Sequence, residues 1–530
     1  MNLLRLTRLM LRRHRLLIIS WLVLLIGLTG ATVSAYQSTY ATPEQRRIAT
    51  ELARANPATN LLYGELADPG TPALMFGWEI GAFATVLAAV MAVLVATAVT
   101  RAAEDDGTLE LVRSCGIDPR VPLRAASTVL LVVAAALTLG CATALGLSVG
   151  HVDAVTWPGA VAFGAVLGLT FLLVGVLTVV LGQVAPTAAG TRVLGFAAVG
   201  AAFAVRALAD TQHVAWLNWW TPLGLRATVR PFTGTRWWVV GACAVVVLVL
   251  ARLAGTLSGR REYRAGLVRR RDRRGGRLNV HSTVQLAGRL ARSSVLSWTL
   301  GVAGIGTLFA AMGSDVTRQS RDGDLGGFLG AQLGDADPVA GYFAYLGTVV
   351  GILVASYAVV SVLSSRRDEE AGLTDQILAT GTRRWAPLAA QVAVTALGSG
   401  VMLVVTGVLG MLVAPRFIDG EHVAVLAFTY VVGQWPAVTA AAGWTAVLAG
   451  RWPRATWLAW TPLVASSVLA LLGPLLDIPQ HVRDLGVFQH VPDVTAPDPS
   501  IASLLVLLVL AGTAVVLGAV GTTRRDIITG

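Results

Sequence analysis

The sequence predicts an all-α polytopic integral membrane protein of twelve transmembrane helices, arranged as two parallel six-helix repeats. Three observations predict it. Of 530 residues, 55% are hydrophobic and 13% charged, and the mean hydropathy is +0.67, whereas soluble domains carry about 25% charged residues. The apolar residues fall in runs that match the roughly 20 residues a helix needs to cross a bilayer core. A charged cluster that follows the second run recurs, in the same order, after the second run of the other half. A soluble enzyme, a disordered chain and a disulfide scaffold are excluded, the last because Cys115, Cys141 and Cys243 are few, odd in number and mostly inside apolar stretches.

In chain order, Leu3 to Arg15 mixes apolar residues with arginines and reads as an elbow helix along the inner interface. Leu16 to Tyr36 is long enough to span and no small-residue cleavage site follows, so it reads as a retained first span with its amino terminus inside. Thr42, Pro43 and Gln45 have the spacing of a capping box that starts a short outside helix, closed by Asn56-Pro57. Further spans are expected at 80–99, 125–149, 158–181, 192–209 and 236–256. A second elbow, Val284 to Val295, precedes spans at 296–312, 343–363, 387–413, 424–449, 456–472 and 501–520. An even total puts both termini in the cytoplasm. The domain reading is 1–257, a basic cytoplasmic linker at 258–283, and 284–530.

The formal charge is +11 and all 41 basic residues are arginine. They crowd the amino terminus and the segment Arg260 to Arg277, as the positive-inside rule describes. The inferred outside loops carry aspartates such as Asp315, Asp322, Asp335, Asp477 and Asp493. Nucleic acid is not an expected partner, because the arginine clusters flank spans and lack interleaved aromatics.

A slide of 265 residues lays Arg101, Glu104, Asp105, Gly107, Glu110 and Gly116 over Arg366, Glu369, Glu370, Gly372, Asp375 and Gly381. A slide of 277 lays Leu9, Arg12, Arg15, Ser20 and Trp21 over Leu286, Arg289, Arg292, Ser297 and Trp298. Both halves therefore share one orientation, and a pseudo-twofold axis along the membrane normal is expected. The charged element, RAAEDDGTLELVRSCGIDPR from Arg101 and RRDEEAGLTDQILATGTRRW from Arg366, places acidic residues on the arginine-rich face. Carboxylates in a first helical turn suit the helix dipole, glycine permits a tight turn, and an apolar stripe with fixed charges suits docking into a partner's groove. The candidate docking residues are Glu104, Asp105, Asp106, Gly107, Leu109, Glu110 and Arg113, with Glu369, Glu370, Gly372 and Asp375 in the second copy.

This arrangement, with Gly107-Thr108-Leu109-Glu110-Leu111 at its centre, resembles the coupling region of ABC-2 type exporter permeases. The whole chain is similar to their duplicated twelve-span branch, the exporters of polyketide antibiotics of the tetronasin-resistance type. The outside segment from Asn56-Pro57 to Tyr63-Gly64, and Trp216, Trp219, Trp220, Thr221, Pro222, Leu223 and Gly224 before the sixth span, add to the likeness. The second copy departs from the pattern, with Leu373-Thr374-Asp375 in place of Thr108-Leu109-Glu110. The resemblance implies a plasma-membrane transport subunit, not itself an enzyme, that exports hydrophobic or amphiphilic compounds by alternating access. It also implies two copies of a separate cytoplasmic ABC ATPase subunit as partners. ATP and Mg would act on that partner, with no cofactor on this chain. Independently, a Walker A loop needs a lysine to reach the phosphates, and this chain has none.

The rival reading is a proton-driven twelve-span secondary drug transporter, which needs a buried carboxylate or histidine relay. Glu79, and Arg206 with Asp210 at helical spacing, are the candidates to test. A membrane enzyme acting on lipid would need a reactive cluster, and Gly146-Leu147-Ser148-Val149-Gly150 lacks the strand-turn-helix setting of a nucleophile elbow. The seven histidines show no metal-ligand spacing. Trp216, Trp219, Trp220, Trp237 and Trp238 read as an interfacial aromatic belt.

Overall fold

The computed structural model describes residues 3–39, 42–55, 63–114, 116–260, 266, 280–321, 337–420, 422–472, 478–491 and 501–526. Helix is the only regular structure among them. Eleven helices among the described residues are long and apolar enough to cross a membrane. The chain divides into two compact units, Met1–Gly275 and Gly276–Gly530.

The first unit starts with α1 (Leu3–Arg13) and α2 (Arg15–Thr39), separated only at His14. The capping box forms: the Thr42 N–H donates to Gln45 Oε1 at 3.1 Å and the Gln45 N–H to Thr42 Oγ1 at 3.3 Å, opening α3 (Pro43–Ala55). Asn56 and Pro57 lie outside the described residues. Threonine caps set the next helices. Thr71 opens α4 (Pro72–Thr97), Thr156 opens α7 (Trp157–Val184) and Thr187 opens α8 (Ala188–Thr211), each hydroxyl accepting a first-turn N–H. Between them come the short α5 (Thr108–Ser114) and α6 (Val121–Gly146), and α9 (Trp237–Arg260) closes the unit. One π-helical turn, Ala98–Ala102, extends α4 into Ala103–Asp105.

In the second unit α10 (Thr283–Arg321) is one 39-residue helix. With no proline to break it, the expected elbow and first span form a single rod. It is followed by α11 (Pro338–Glu370), the short α12 (Leu373–Leu378) and α13 (Ala386–Val413). The span expected at 424–449 is broken into α14 (Val423–Val432) and α15 (Trp435–Arg451), because Pro436 cannot donate the backbone bond that would continue the first helix. In the expected span at 456–472 a 3-10 stretch, Pro453–Trp460, takes the first part, and α16 (Thr461–Leu472) runs to the last described residue of this segment. Pro453 and Pro462 divide the run. The last helix is α17 (Ala502–Arg524).

Each unit has its own apolar core, built around Phe76, Phe163 and Phe171 in the first and Phe343, Tyr357 and Phe488 in the second. In lipid, apolar burial drives helix association weakly, and close backbone approach through small residues matters more. α15 and α17 show this. A Cβ on Gly450 would lie 2.1 Å from the Gly518 carbonyl oxygen, and one on Gly518 2.5 Å from that of Ala446. Gly518→Val is therefore expected to destabilise the protein by about 1–3 kcal/mol through overpacking. Thermal unfolding of the detergent-solubilised variant checks it, and an unshifted transition refutes the tight crossing.

Candidate functional site

The element after α4 is built from its base outward. Arg101 and Glu104, 1% and 2% exposed, pair at 3.1 Å. Arg101 Nη2 also donates to the Pro186 carbonyl at 2.5 Å. Asp105 accepts from the Ala188 N–H at 2.6 Å, placing a carboxylate at the start of α8 where the helix dipole favours it. These bonds tie the end of α4 to the α7–α8 junction. Gly266, a described residue of the mid-chain basic segment, sits on that junction too, its Cα facing the Val184 carbonyl. Gly107, at φ +76°, then turns the chain into α5. Glu110 is exposed, Leu111 is 72% exposed and Leu109 is half-buried. The side chain of Arg113 lies outside the described residues.

The second element follows the same plan. Arg366 pairs with Glu369 at 3.0 Å and with Glu370 at 3.0 Å, repeating the i+3 and i+4 pairs of Arg101 with Glu104 and, at 3.7 Å, with Asp105. Gly372 has φ +71°, like Gly107; Gly116 and Gly381, also matched, have +71° and +83°. Both pairs of glycines occupy a left-handed conformation that a side chain would strain. Asp375 is exposed and Leu373 is 46% exposed, so α12 presents its apolar residue at the start of the helix. The grooves beside the loops match as well. Met10, Thr100, Glu104, Leu109, Pro122 and Leu123 line one, and Ala287, Ser365, Glu369, Thr374, Pro387 and Leu388 line the other.

The anchors differ. In the second unit Arg525, just past α17, donates two bonds to the Glu369 carboxylate at 2.5 and 2.7 Å. It also donates to the carbonyls of Gly450 and Ala449 at 2.8 and 3.2 Å, gripping the end of α15. Ala449 and Gly450 are the 265-residue counterparts of Val184 and Ala185, next to the Pro186 that Arg101 grips. Each loop is thus fastened to the end of an equivalent helix, by its own arginine in one unit and by the last helix in the other.

Sequence reasoning placed Glu104 and Glu369 among surface docking residues. The structure gives both to the buried base, where they hold the loop, and leaves Glu110 and Asp375 at the tip. Asp105 and Glu370 lie at the edge, each with a bond back to the base. Arg525 was missed: nothing near it repeats, and its partner is 156 residues away. A detectable signal for Arg101 and Arg366 was an arginine ending an apolar run with carboxylates three and four residues on.

Arg13, at the end of α1, donates to Asp106 Oδ2 at 2.6 Å and to Thr108 Oγ1 at 2.8 Å. Partial desolvation pushes the Asp106 carboxyl up, but bonds from the Thr108 hydroxyl and N–H and from Arg13 outweigh it and hold it below its usual range. A lowered carboxyl stabilises the fold above its unfolded value and loses that contribution as pH falls through the folded one. With both side chains above 40% exposed, Arg13→Ala is expected to cost under about 1 kcal/mol at neutral pH. Thermal unfolding at pH 7 measures it, and a loss of several kcal/mol would contradict the exposed setting.

At the opposite end of the first unit, the two groups expected to pair do so: Arg206 Nε lies 3.8 Å from Asp210 Oδ2. Glu79 accepts a bond from Tyr36 Oη at 2.6 Å. The tryptophans of the expected belt are exposed, with Trp219 and Trp238 stacked 5.2 Å apart.

Two units of membrane-length helices, each bearing a matched, glycine-turned loop, define a multi-pass membrane transport protein. Residues 280–522 match the model of the family described as multidrug efflux system permease Rv1217c, C-terminal domain. The chain is 32% identical over 527 residues to the multidrug efflux system permease protein Rv1217c of Mycobacterium tuberculosis, covering 98% of this chain and 94% of that protein. The chain belongs to this family of multidrug efflux permeases.

Proposed function

We propose that the protein is the permease subunit of an ATP-powered ABC exporter of hydrophobic or amphiphilic compounds, and that a separate pair of ATPase subunits grips its two loops. The observation that carries this reading is the twinned element itself: a buried arginine–glutamate base, a left-handed glycine and a short helix with an exposed tip, repeated at a constant offset. One such helix is an ordinary surface turn. Two with the same base and different tips are handles, rigid where they join the bundle and open where a partner would hold them. In this reading both termini and both loops are cytoplasmic, and the unit pair is a duplication of six spans each.

Force applied to α5 passes through Arg101, Glu104 and Asp105 into the α7–α8 junction; force on α12 passes through Glu369 and Arg525 into the ends of α15 and α17. ATP closing the partner subunits would displace these ends and change the side to which the bundle opens. Co-expression with candidate ABC ATPase subunits from the same genome tests the reading. Cargo-stimulated hydrolysis in the purified complex is the expected result; failure of the two chains to co-purify overturns it.

A proton-driven transporter has one observation in its favour, the Glu79–Tyr36 bond near the start of α4. Export from vesicles under a pH gradient without ATP, lost in Glu79→Gln, would establish that reading instead.

A further inference from the structure

Opposite its own glycine-turned loop, the first unit contains an open cavity of about 490 Å³. Its walls come from residues 65–68, the start of α4, the end of α8 and residues 215–236. Aromatic rings form the apolar surface: Trp78, Phe163, Trp219 and Phe232, with Phe163 and Phe232 stacked 6.2 Å apart. Arg226 and Asp210 are among its lining residues, and Arg206 pairs with Asp210. Asp210, 8% exposed, is engaged by Arg206 and by the Asn218 Nδ2, which donates to Oδ1 at 2.8 Å. Arg226 has no carboxylate within 4 Å among the described residues; its bonds go to the carbonyls of Tyr63 and, at 3.4 Å, Gly77. Those carbonyls orient the guanidinium, and the one carboxylate that acts on it, Asp210, also serves Arg206. Two guanidiniums held away from bulk water with one carboxylate between them are short of counter-charge, and an incoming anion relieves the cost.

The backbone is shaped to hold these charges close. Gly64, at φ +85°, lies between them, and a Cβ there would fall 2.5 Å from Asp210 Oδ2 and 2.9 Å from Arg226 Nη2. Glu65, Asp68, His213, Arg230 and Arg236 also line the cavity. With two guanidiniums to one carboxylate, the group of Arg206, Asp210 and Arg226 carries net positive charge.

We propose that this cavity binds amphiphilic cargo through its anionic head, the carboxylate lying on Arg226 and the apolar body on Trp78, Phe163 and Phe232. Planar guanidinium and carboxylate match in two parallel bonds, and aromatic walls accept many body shapes, as a multidrug site requires. The assignment rests on the efflux reading for its cargo but not on how export is powered.

The test measures binding with no ATP and no ATPase present. Purified full-length protein in neutral phosphatidylcholine nanodiscs is titrated with 11-(dansylamino)undecanoic acid and with its methyl ester. The acid is expected to bind about tenfold more tightly than the ester, the factor one charge-assisted contact supplies. Arg226→Gln should remove the preference while ester binding stays, and Arg226→Lys should keep most of it. Loss of both ligands in Arg226→Gln is read against Arg226→Lys: if the lysine variant binds acid and ester alike, the proposal fails. Equal binding to the native protein, or displacement of the acid by added phosphatidylglycerol, also overturns it, the latter because lipid head groups would then own the site. Because nucleotide is absent, a failed exporter assay and a failed binding assay remain separate results.

Discussion

Arg101→Ala is expected to destabilise the protein by about 3–5 kcal/mol, the cost of removing one partner from a buried ion pair. The substitution takes the Arg101 guanidinium from Glu104, 2% exposed, and the donor from the Pro186 carbonyl. Both groups sit where the end of α4 meets the α7–α8 junction, so the loss opens the base of the first loop. Replacing both partners, as Arg101→Ala with Glu104→Gln, leaves no bare charge and is expected to recover part of the loss. Thermal unfolding in detergent, followed for native, single and double variants, measures the series. A single variant as stable as the native protein would show that the pair does not hold the loop. The second loop has a built-in comparison. Glu369 there faces both Arg366 and Arg525, so Arg366→Ala leaves it one cation and should cost less.

Glu110→Arg combined with Leu111→Asp is expected to disconnect hydrolysis from export without unfolding the permease. Both side chains are exposed, which keeps their effect on stability within about 0.5 kcal/mol. A docking contact of this kind contributes about 2 kcal/mol where it is an anchor, so losing it weakens association about 30-fold. Co-purification of the ATPase and cargo-stimulated hydrolysis should both fall, while the unfolding transition stays in place. Full transport in this variant would remove the tip from the mechanism. Reversing Glu104 or Asp105 instead would test the base and not the tip, because those carboxylates hold the bundle together.

Much of this was readable along the chain. Hydropathy located eleven of the twelve expected spans to within a few residues at most ends, because bilayer thickness imposes a length that any sequence must satisfy. The capping box at Thr42 and Gln45 formed, since its bonds join residues three apart and need no distant partner. The matched glycines took left-handed conformations for the same local reason. At 456–472 the first part of the apolar run belongs to a 3-10 stretch that starts at Pro453, which composition alone did not show.

Tertiary structure alone decided which acidic residues face outward. Glu104 and Glu110 are chemically alike in sequence, yet one is sealed against Arg101 and the other is exposed, because the packing of α4 against the α7–α8 junction chooses between them. It alone brought Arg525 to Glu369, and Asp210 and Arg226 around Gly64. Solvent chemistry acts on each residue separately and so can be read one position at a time; charge pairing acts on residues far apart, and the chain must fold before it is known which of them meet.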